Sequence, residues 1–283
     1  MTYGRPFATG HIGCGPRPLQ GVEEVPMLLD GLVAIVTGAG SGIGRGIALK
    51  LAEEGAAVVV NGVNLPNEEE TVRMIEAEGG RAIPVVADVR VKAEVEAMVA
   101  RAVEAFGKVD ILVNNAGIRR PAGILNMSER DWDDVIAVHL KGAFLCTQAA
   151  ARLMRKNGYG RVINISSEGA LCGEIGMANY IAAKAGLFGF TMTVALEFAR
   201  WVRKEGGDLT CNLLMPGFNE TRMMAEVPPQ RREELLRLVP LGRRSDPRED
   251  IGNAVAFLAS RKASYITGVK FSVGGGINMC LAS

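Results

Sequence analysis

The sequence predicts an α/β protein built on one doubly wound, seven-stranded parallel sheet with helices on both faces. Two observations lead there. From Leu32 to Val273, short runs of Val, Ile, Leu and Ala alternate with longer amphipathic segments, and strands that are apolar on both faces belong to parallel sheets sandwiched between helices. Apolar residues make up 48% of the 283 residues, enough to fill a substantial core. The right-handed crossover rule then gives a doubly wound sheet.

Leu32 to Thr37 is the first buried strand. Gly42 to Glu54 has helical composition and stops at Gly55, a residue suited to a helix end. A second strand, Ala57 to Val60, precedes a charged helix from Glu68 to Glu78 that ends in Gly79-Gly80. Ala82 to Val86 is the third strand, Val91 to Phe106 a helix closed by Gly107, and Val109 to Val113 the fourth strand. Ser128 caps a long helix with acids in its first turn. Val162 to Ile165 is the fifth strand, and the helix carrying Tyr180 follows it. Leu209 to Leu214, a helix from Arg248 to Leu258, and Val269 to Val273 complete the pattern. Neither a repeat of fixed period nor a second core interrupts it, so residues 27–283 read as one domain. Residues 1–26 hold five glycines and four prolines and no continuous apolar stretch. That is the composition of a flexible tail rather than a secretory signal, and Met27 is a candidate start.

Composition narrows the function. The net charge is +1 with no long basic block, so nothing points to nucleic acid or an anionic membrane surface. No uninterrupted apolar run reaches the length of a membrane span. Five cysteines are widely spaced without a Cys-x-x-Cys pair, and only two histidines, His11 and His139, accompany them. No metal site is expected, and the cysteines suit a reduced, cytoplasmic protein.

Chemistry concentrates between Ser167 and Lys184. Tyr180 and Lys184 are four apart in a helical segment, so their side chains share one face. A tyrosine of ordinary pKa, roughly 10, is a poor proton donor or acceptor near neutrality, and an ammonium beside it favours the phenolate. Ser167 ends a strand, where its hydroxyl can reach a substrate oxygen. The second cluster is Thr37-Gly38-Ala39-Gly40-Ser41-Gly42-Ile43-Gly44, which runs from strand into helix. Glycines there let backbone approach a pyrophosphate, and the helix N-terminus offers amide donors. The spacing is Gly-x-x-x-Gly-x-Gly at 38, 42 and 44 rather than Gly-x-Gly-x-x-Gly.

These clusters, with Asn114-Asn115-Ala116-Gly117 and Pro216-Gly217, resemble the short-chain dehydrogenase/reductase family of single-domain type across residues 30–280. The resemblance implies a Rossmann fold and hydride transfer between a nicotinamide and a carbonyl or alcohol carbon. It makes Tyr180 the general acid/base, Lys184 the residue that lowers its pKa and holds the nicotinamide ribose, and Ser167, rather than Ser166, the group that positions the substrate oxygen. Gly38, Ser41, Gly42, Ile43 and Gly44 would cradle the cofactor. Asp88 and Val89 would meet its adenine, Asn115, Ala116 and Gly117 would line it, Pro216 and Gly217 would back the nicotinamide, and Thr221 would bond the carboxamide. A helix cap for Asp88 and a strand-to-strand tie for Asn114 are compatible alternatives.

Three departures qualify the resemblance. His139 stands where the family usually has an asparagine that supports a water relay to the lysine; imidazole can also donate and accept. This histidine is similar to that of hydroxyacyl-CoA dehydrogenase domains. At the end of the second strand Gly62 replaces the acid that would favour NAD, although arginines that grip the phosphate of NADP are missing too; the expectation leans to NADP(H) over NAD(H). Finally, residues 200–208 lengthen the connection into the sixth strand and are expected to extend the Tyr180 helix. A lid, Phe218 to Val239, offers Met223, Met224, Val227 and Leu236 beside Arg222, Arg231 and Arg232. The expected substrate is a small molecule, a 3-oxoacyl thioester by resemblance, with sugar, cyclic and steroid alcohols as alternatives and a non-catalytic cofactor-binding sensor or partner subunit as the rival of another class. By resemblance the protein is a homo-oligomer, a tetramer.

Overall fold

The computed structural model describes residues 27–219 and 229–280. The tail, Thr221, Arg222, Met223, Met224 and Val227 lie outside the described residues. Seven strands form one sheet in the order β3-β2-β1-β4-β5-β6-β7, every neighbouring pair parallel. They are β1 (Val33–Val36), β2 (Ala57–Gly62), β3 (Arg81–Val86), β4 (Ile111–Asn114), β5 (Tyr159–Ile165), β6 (Asp208–Pro216) and β7 (Lys270–Val273). The first half of the chain winds one way from β1 and the second half the other. The order therefore reverses between β1 and β4, and loops at the C-terminal ends of those strands part to open a crevice.

Alternation within each strand explains the continuous apolar runs. Ala34, Val36, Val58 and Val60 face one layer, made by α1 (Gly42–Glu53), α2 (Leu65–Ala77) and a late helix, α8 (Asn253–Ala259). Ile35, Val59 and Leu112 face the opposite layer, built from α3 (Lys92–Phe106), α5 (Gly142–Asn157) and α6 (Ala178–Glu205). Both faces are buried because successive side chains of a strand point to opposite sides.

The long helix expected after Ser128 is continuous but not uniform. Ser128 caps it, its hydroxyl accepting from Asp131 N at 3.1 Å. The chain then runs through α4 (Glu129–Ile136), a π turn over Ala137–Lys141, and α5. A second π turn, Pro247–Gly252, precedes α8, and a short α7 (Pro229–Arg237) and α9 (Ile277–Cys280) flank this region. The extension of the Tyr180 helix is present, with α6 running to Glu205. By length and composition alone α6 could cross a bilayer, although Lys184, Thr191, Thr193 and Glu197 interrupt its apolar residues. Here it lies along the sheet, with Leu187, Val194, Ala195 and Phe198 in the core.

Candidate active site

The crevice at the β1/β4 switch is a cleft of about 440 Å³ lined from Gly40 and Gly62 at one end to Ser166, Tyr180 and Lys184 at the other. The glycine turn forms its floor. Gly38 and Gly42 hold φ of 64° and 55°, the left-handed region that a side chain disfavours. A Cβ on Gly44 would meet Gly38 O at 2.2 Å and Asn115 Nδ2 at 2.5 Å. The turn is locked from beneath: Asn115 Nδ2 donates to Thr37 O at 2.9 Å, and the amides of Asn115 and Ala116 both donate to Thr37 Oγ1 at 3.0 Å. Asn115 thus stabilises the turn as well as lining the cleft. Asn114 is the strand-to-strand tie, donating to Asn164 Oδ1 at 2.8 Å and Thr147 Oγ1 at 3.0 Å.

Of the other expected cofactor residues, Ser41, Ile43, Asp88, Val89, Ala116 and Gly117 all line the cleft. Asp88 is held by Arg90, whose Nη2 lies 2.7 Å away, and that guanidinium keeps its carboxyl below the usual carboxylate range. Pro216 closes β6, and Gly217 N donates to Val273 O at 3.1 Å. Neither is among the residues lining the cleft. A dinucleotide fits these residues: side-chain-free turns leave room for close backbone approach, and the N-terminus of α1 faces that space.

At the far end, α6 delivers Tyr180 and Lys184 on one face, the Lys184 Nζ 5.6 Å from the Tyr180 ring centroid. Lys184 is buried and donates to Ile165 O at 2.6 Å, at the end of β5. Burial dominates both groups. It pushes the Tyr180 phenol up, opposed by the Ser167 hydroxyl and the Arg119 guanidinium, and pulls the Lys184 ammonium down to about 7. The two serines make different contacts. Ser166 Oγ donates to Lys184 O at 2.9 Å, a buried structural bond, whereas Ser167 turns towards the phenol and caps a short 3-10 turn through Gly169 N at 3.2 Å.

His139 sits on the π turn, buried, its ring edge-on to Tyr180 with centroids 5.2 Å apart. Its Nε2 lies 2.8 Å from Ile118 O and 3.0 Å from Ile118 N, so either neutral tautomer finds a partner in that residue. Burial and the Lys184 charge push its pKa down to about 3. The imidazole anchors the strand-β4 loop; no hydrogen bond joins it to Lys184. A Cβ on Gly117 would lie 2.4 Å from His139 Cε1, so the two residues fit only as a pair.

Sequence reasoning missed three groups. Asn179, fully buried, accepts from Tyr180 N at 2.7 Å and donates to Arg120 O at 3.0 Å and Asp131 O at 3.1 Å. It fixes the start of α6 against the loop after β4, and an amide just before the tyrosine was its only signal. Arg119 approaches Tyr180 while pairing with Glu174 at 3.3 Å. Glu68 is buried at the glycine-turn end of the cleft, within a run of three glutamates that reads as a solvated face.

Residues 38–278 match the family described as enoyl-(acyl carrier protein) reductase. The chain is 41% identical over 250 residues to the (2S)-[(R)-hydroxy(phenyl)methyl]succinyl-CoA dehydrogenase subunit BbsD of Thauera aromatica, covering 88% of this chain and 98% of that one. It is 39% identical over 251 residues to the 3-oxoacyl-[acyl-carrier-protein] reductase FabG of Thermotoga maritima, covering 89% and 99%. A solved structure described as a putative short-chain alcohol dehydrogenase from Sinorhizobium meliloti 1021 superposes with a TM-score of 0.83 at 34% identity, over 90% of this chain and 99% of that one. With its strand order and its glycine turn, the chain belongs to the short-chain dehydrogenase/reductase family and is an NAD(P)-dependent oxidoreductase.

Proposed function

We propose that this enzyme interconverts a 3-oxoacyl thioester and its 3-hydroxy counterpart, with Tyr180 as general acid/base. The observation that carries the chemistry is the pairing of Tyr180 with Lys184 on one face of α6, beside Ser167, at the end of the cleft opposite the outer edge of the glycine turn. The nicotinamide coenzyme, when bound, supplies or accepts the hydride. In the reducing direction the Tyr180 phenol donates its proton to the substrate oxygen, and the Ser167 hydroxyl donates a hydrogen bond to the same atom. Lys184, tethered to Ile165 O, favours the phenolate left behind and holds the nicotinamide ribose. The glycine turn, Asp88, Val89 and the 115–117 loop hold the rest of the cofactor, with Pro216 and Gly217 behind the nicotinamide. His139 keeps the 117–118 loop in place rather than relaying protons. The thioester class is supported by the names of both relatives, one a CoA-thioester dehydrogenase subunit and the other an acyl-carrier-protein reductase.

Loss of nicotinamide absorbance with acetoacetyl-CoA tests this reading. Oxidation of NADH or NADPH supports it. Silence with acetoacetyl-CoA, but turnover of simple cyclic or sugar alcohols, replaces the thioester by an alcohol. The homo-oligomer, a tetramer by resemblance, is supported by exposed Phe144 on α5 and Met192 and Leu196 on α6, and light scattering of the purified protein tests it.

A further inference from the structure

An acid from α2 reaches the end of β2. Glu68, on the first turn of α2, is only 3% exposed, yet it lines the cleft beside Gly40 and Gly62. Its carboxylate occupies the volume that strand-end side chains would fill: a Cβ on Gly62 would lie 1.8 Å from Glu68 Oε1, and one on Gly40 would lie 2.5 Å from the same atom. The other oxygen, Oε2, is buried and bonds to no described protein group. A buried carboxylate oxygen without a donor is costly, and burial raises the Glu68 pKa; hydroxyls brought by a ligand would relieve that cost.

Neighbouring bonds hold Glu68 there. Thr71, one turn on, donates to Ala39 O at 3.1 Å. Arg45 reaches across to Gly40 O at 2.6 Å and Thr71 Oγ1 at 3.0 Å, so α2 is stitched to the glycine turn. The cations lining the cleft are otherwise engaged. Arg90 pairs with Asp88 at 2.7 Å and Asp134 at 3.2 Å, Arg120 pairs with Asp131 at 3.8 Å, and Lys184 donates to Ile165 O. Arg45, behind the turn, pairs with Glu70 at 2.6 Å.

We propose that Glu68 binds the adenosine ribose diol of the coenzyme and excludes a 2′-phosphate, making the enzyme selective for NAD(H). The inference rests on the cofactor reading of the cleft, and it reverses the lean to NADP(H) drawn from Gly62. A carboxylate accepts hydrogen bonds from two vicinal hydroxyls but repels a phosphate esterified to one of them. Gly62 is then part of the same device, because any side chain there would displace the carboxylate.

Equilibrium binding separates the two readings without turnover. NADH and NADPH are titrated into wild type, Glu68→Gln and Glu68→Ala and followed by isothermal calorimetry. ADP-ribose and its 2′-phosphorylated form are included as probes without nicotinamide. Wild type is expected to bind NADH at least tenfold more tightly than NADPH, with the same order for the two ADP-riboses. Both variants are expected to shrink that ratio at least fivefold, chiefly by gaining affinity for the phosphorylated ligands. If Glu68→Ala does not fold, the near-isosteric Glu68→Gln and the wild-type ratio still decide. Equal or tighter NADPH binding by wild type, or an unchanged ratio in a folded variant, overturns the inference while leaving the oxidoreductase reading intact. Binding of neither coenzyme overturns both.

Discussion

The two ends of the cleft are made in opposite ways. At the glycine-turn end, shape comes from side chains that are absent: Gly38, Gly42 and Gly44 let the backbone fold tightly, and Thr37 and Asn115 brace it with neutral hydrogen bonds. At the reactive end, function is concentrated in buried side chains whose proton affinities burial has moved, with Tyr180 raised and Lys184 lowered to about 7. One end therefore tolerates no added atom. The other depends on single functional groups.

Removing one oxygen at the reactive end should give the largest effect. Tyr180→Phe is expected to reduce turnover by at least ~10³-fold, about 4 kcal/mol of transition-state stabilisation, with coenzyme affinity within about threefold of wild type. Single-turnover kinetics and calorimetric binding check this, and retained turnover would remove the proton-transfer role. Adding one carbon at the other end comes next. Gly44→Ala is expected to lower stability by about 2–3 kcal/mol and to weaken coenzyme binding, because the new methyl meets backbone and a bracing amide rather than a flexible side chain. An unchanged urea midpoint would contradict that account of the turn.

The third test uses pH. The His139 pKa is about 3 in the fold against an ordinary 6.5, so between these values the unfolded chain binds the extra proton. Stability from this group is complete above pH 6.5 and is lost as pH falls towards 3, by up to about 2 kcal/mol at pH 5. The buried Lys184 acts in a separate window, from about 7 up to its ordinary 10.5. Denaturant midpoints at pH 7 and pH 5 should therefore fall further apart in wild type than in His139→Asn. Equal spacing would mean that His139 is not held neutral. The smallest effect concerns the adjacent serine. Ser166→Ala loses a buried bond to Lys184 O and is expected to lower stability by about 1 kcal/mol with turnover within about threefold. A loss of turnover without loss of stability would transfer the substrate role from Ser167 to Ser166.

Much of this was legible because it is written locally. Strands β1 to β6 appear as apolar runs, and the β1 turn and the Tyr180–Lys184 spacing depend only on near neighbours in the chain. Boundaries moved by a few residues where pairing extended beyond the apolar run, as at Asn61-Gly62 of β2 and Tyr159-Gly160 of β5. The π turn under His139 left no periodic signal, since one widened turn barely shifts a helical pattern. Glu68 was hidden for a different reason. Its neighbours Glu69 and Glu70 are exposed as an acidic helix face predicts, and only the path of the glycine turn, fixed by residues far along the chain, decides which of the three glutamates is buried.

The contact between Glu68 and Gly62 also restricts how this sequence can change. A side chain at position 62 displaces the carboxylate, because Glu68 Oε1 stands 1.8 Å from where its first carbon would go. Replacing Glu68 first leaves the end of β2 with neither acid. The two positions are thus epistatic. Moving the acid from α2 to β2, by drift or by design, is smoother if Glu68 shrinks before Gly62 grows, because the reverse order first pushes the Glu68 carboxylate out of its place.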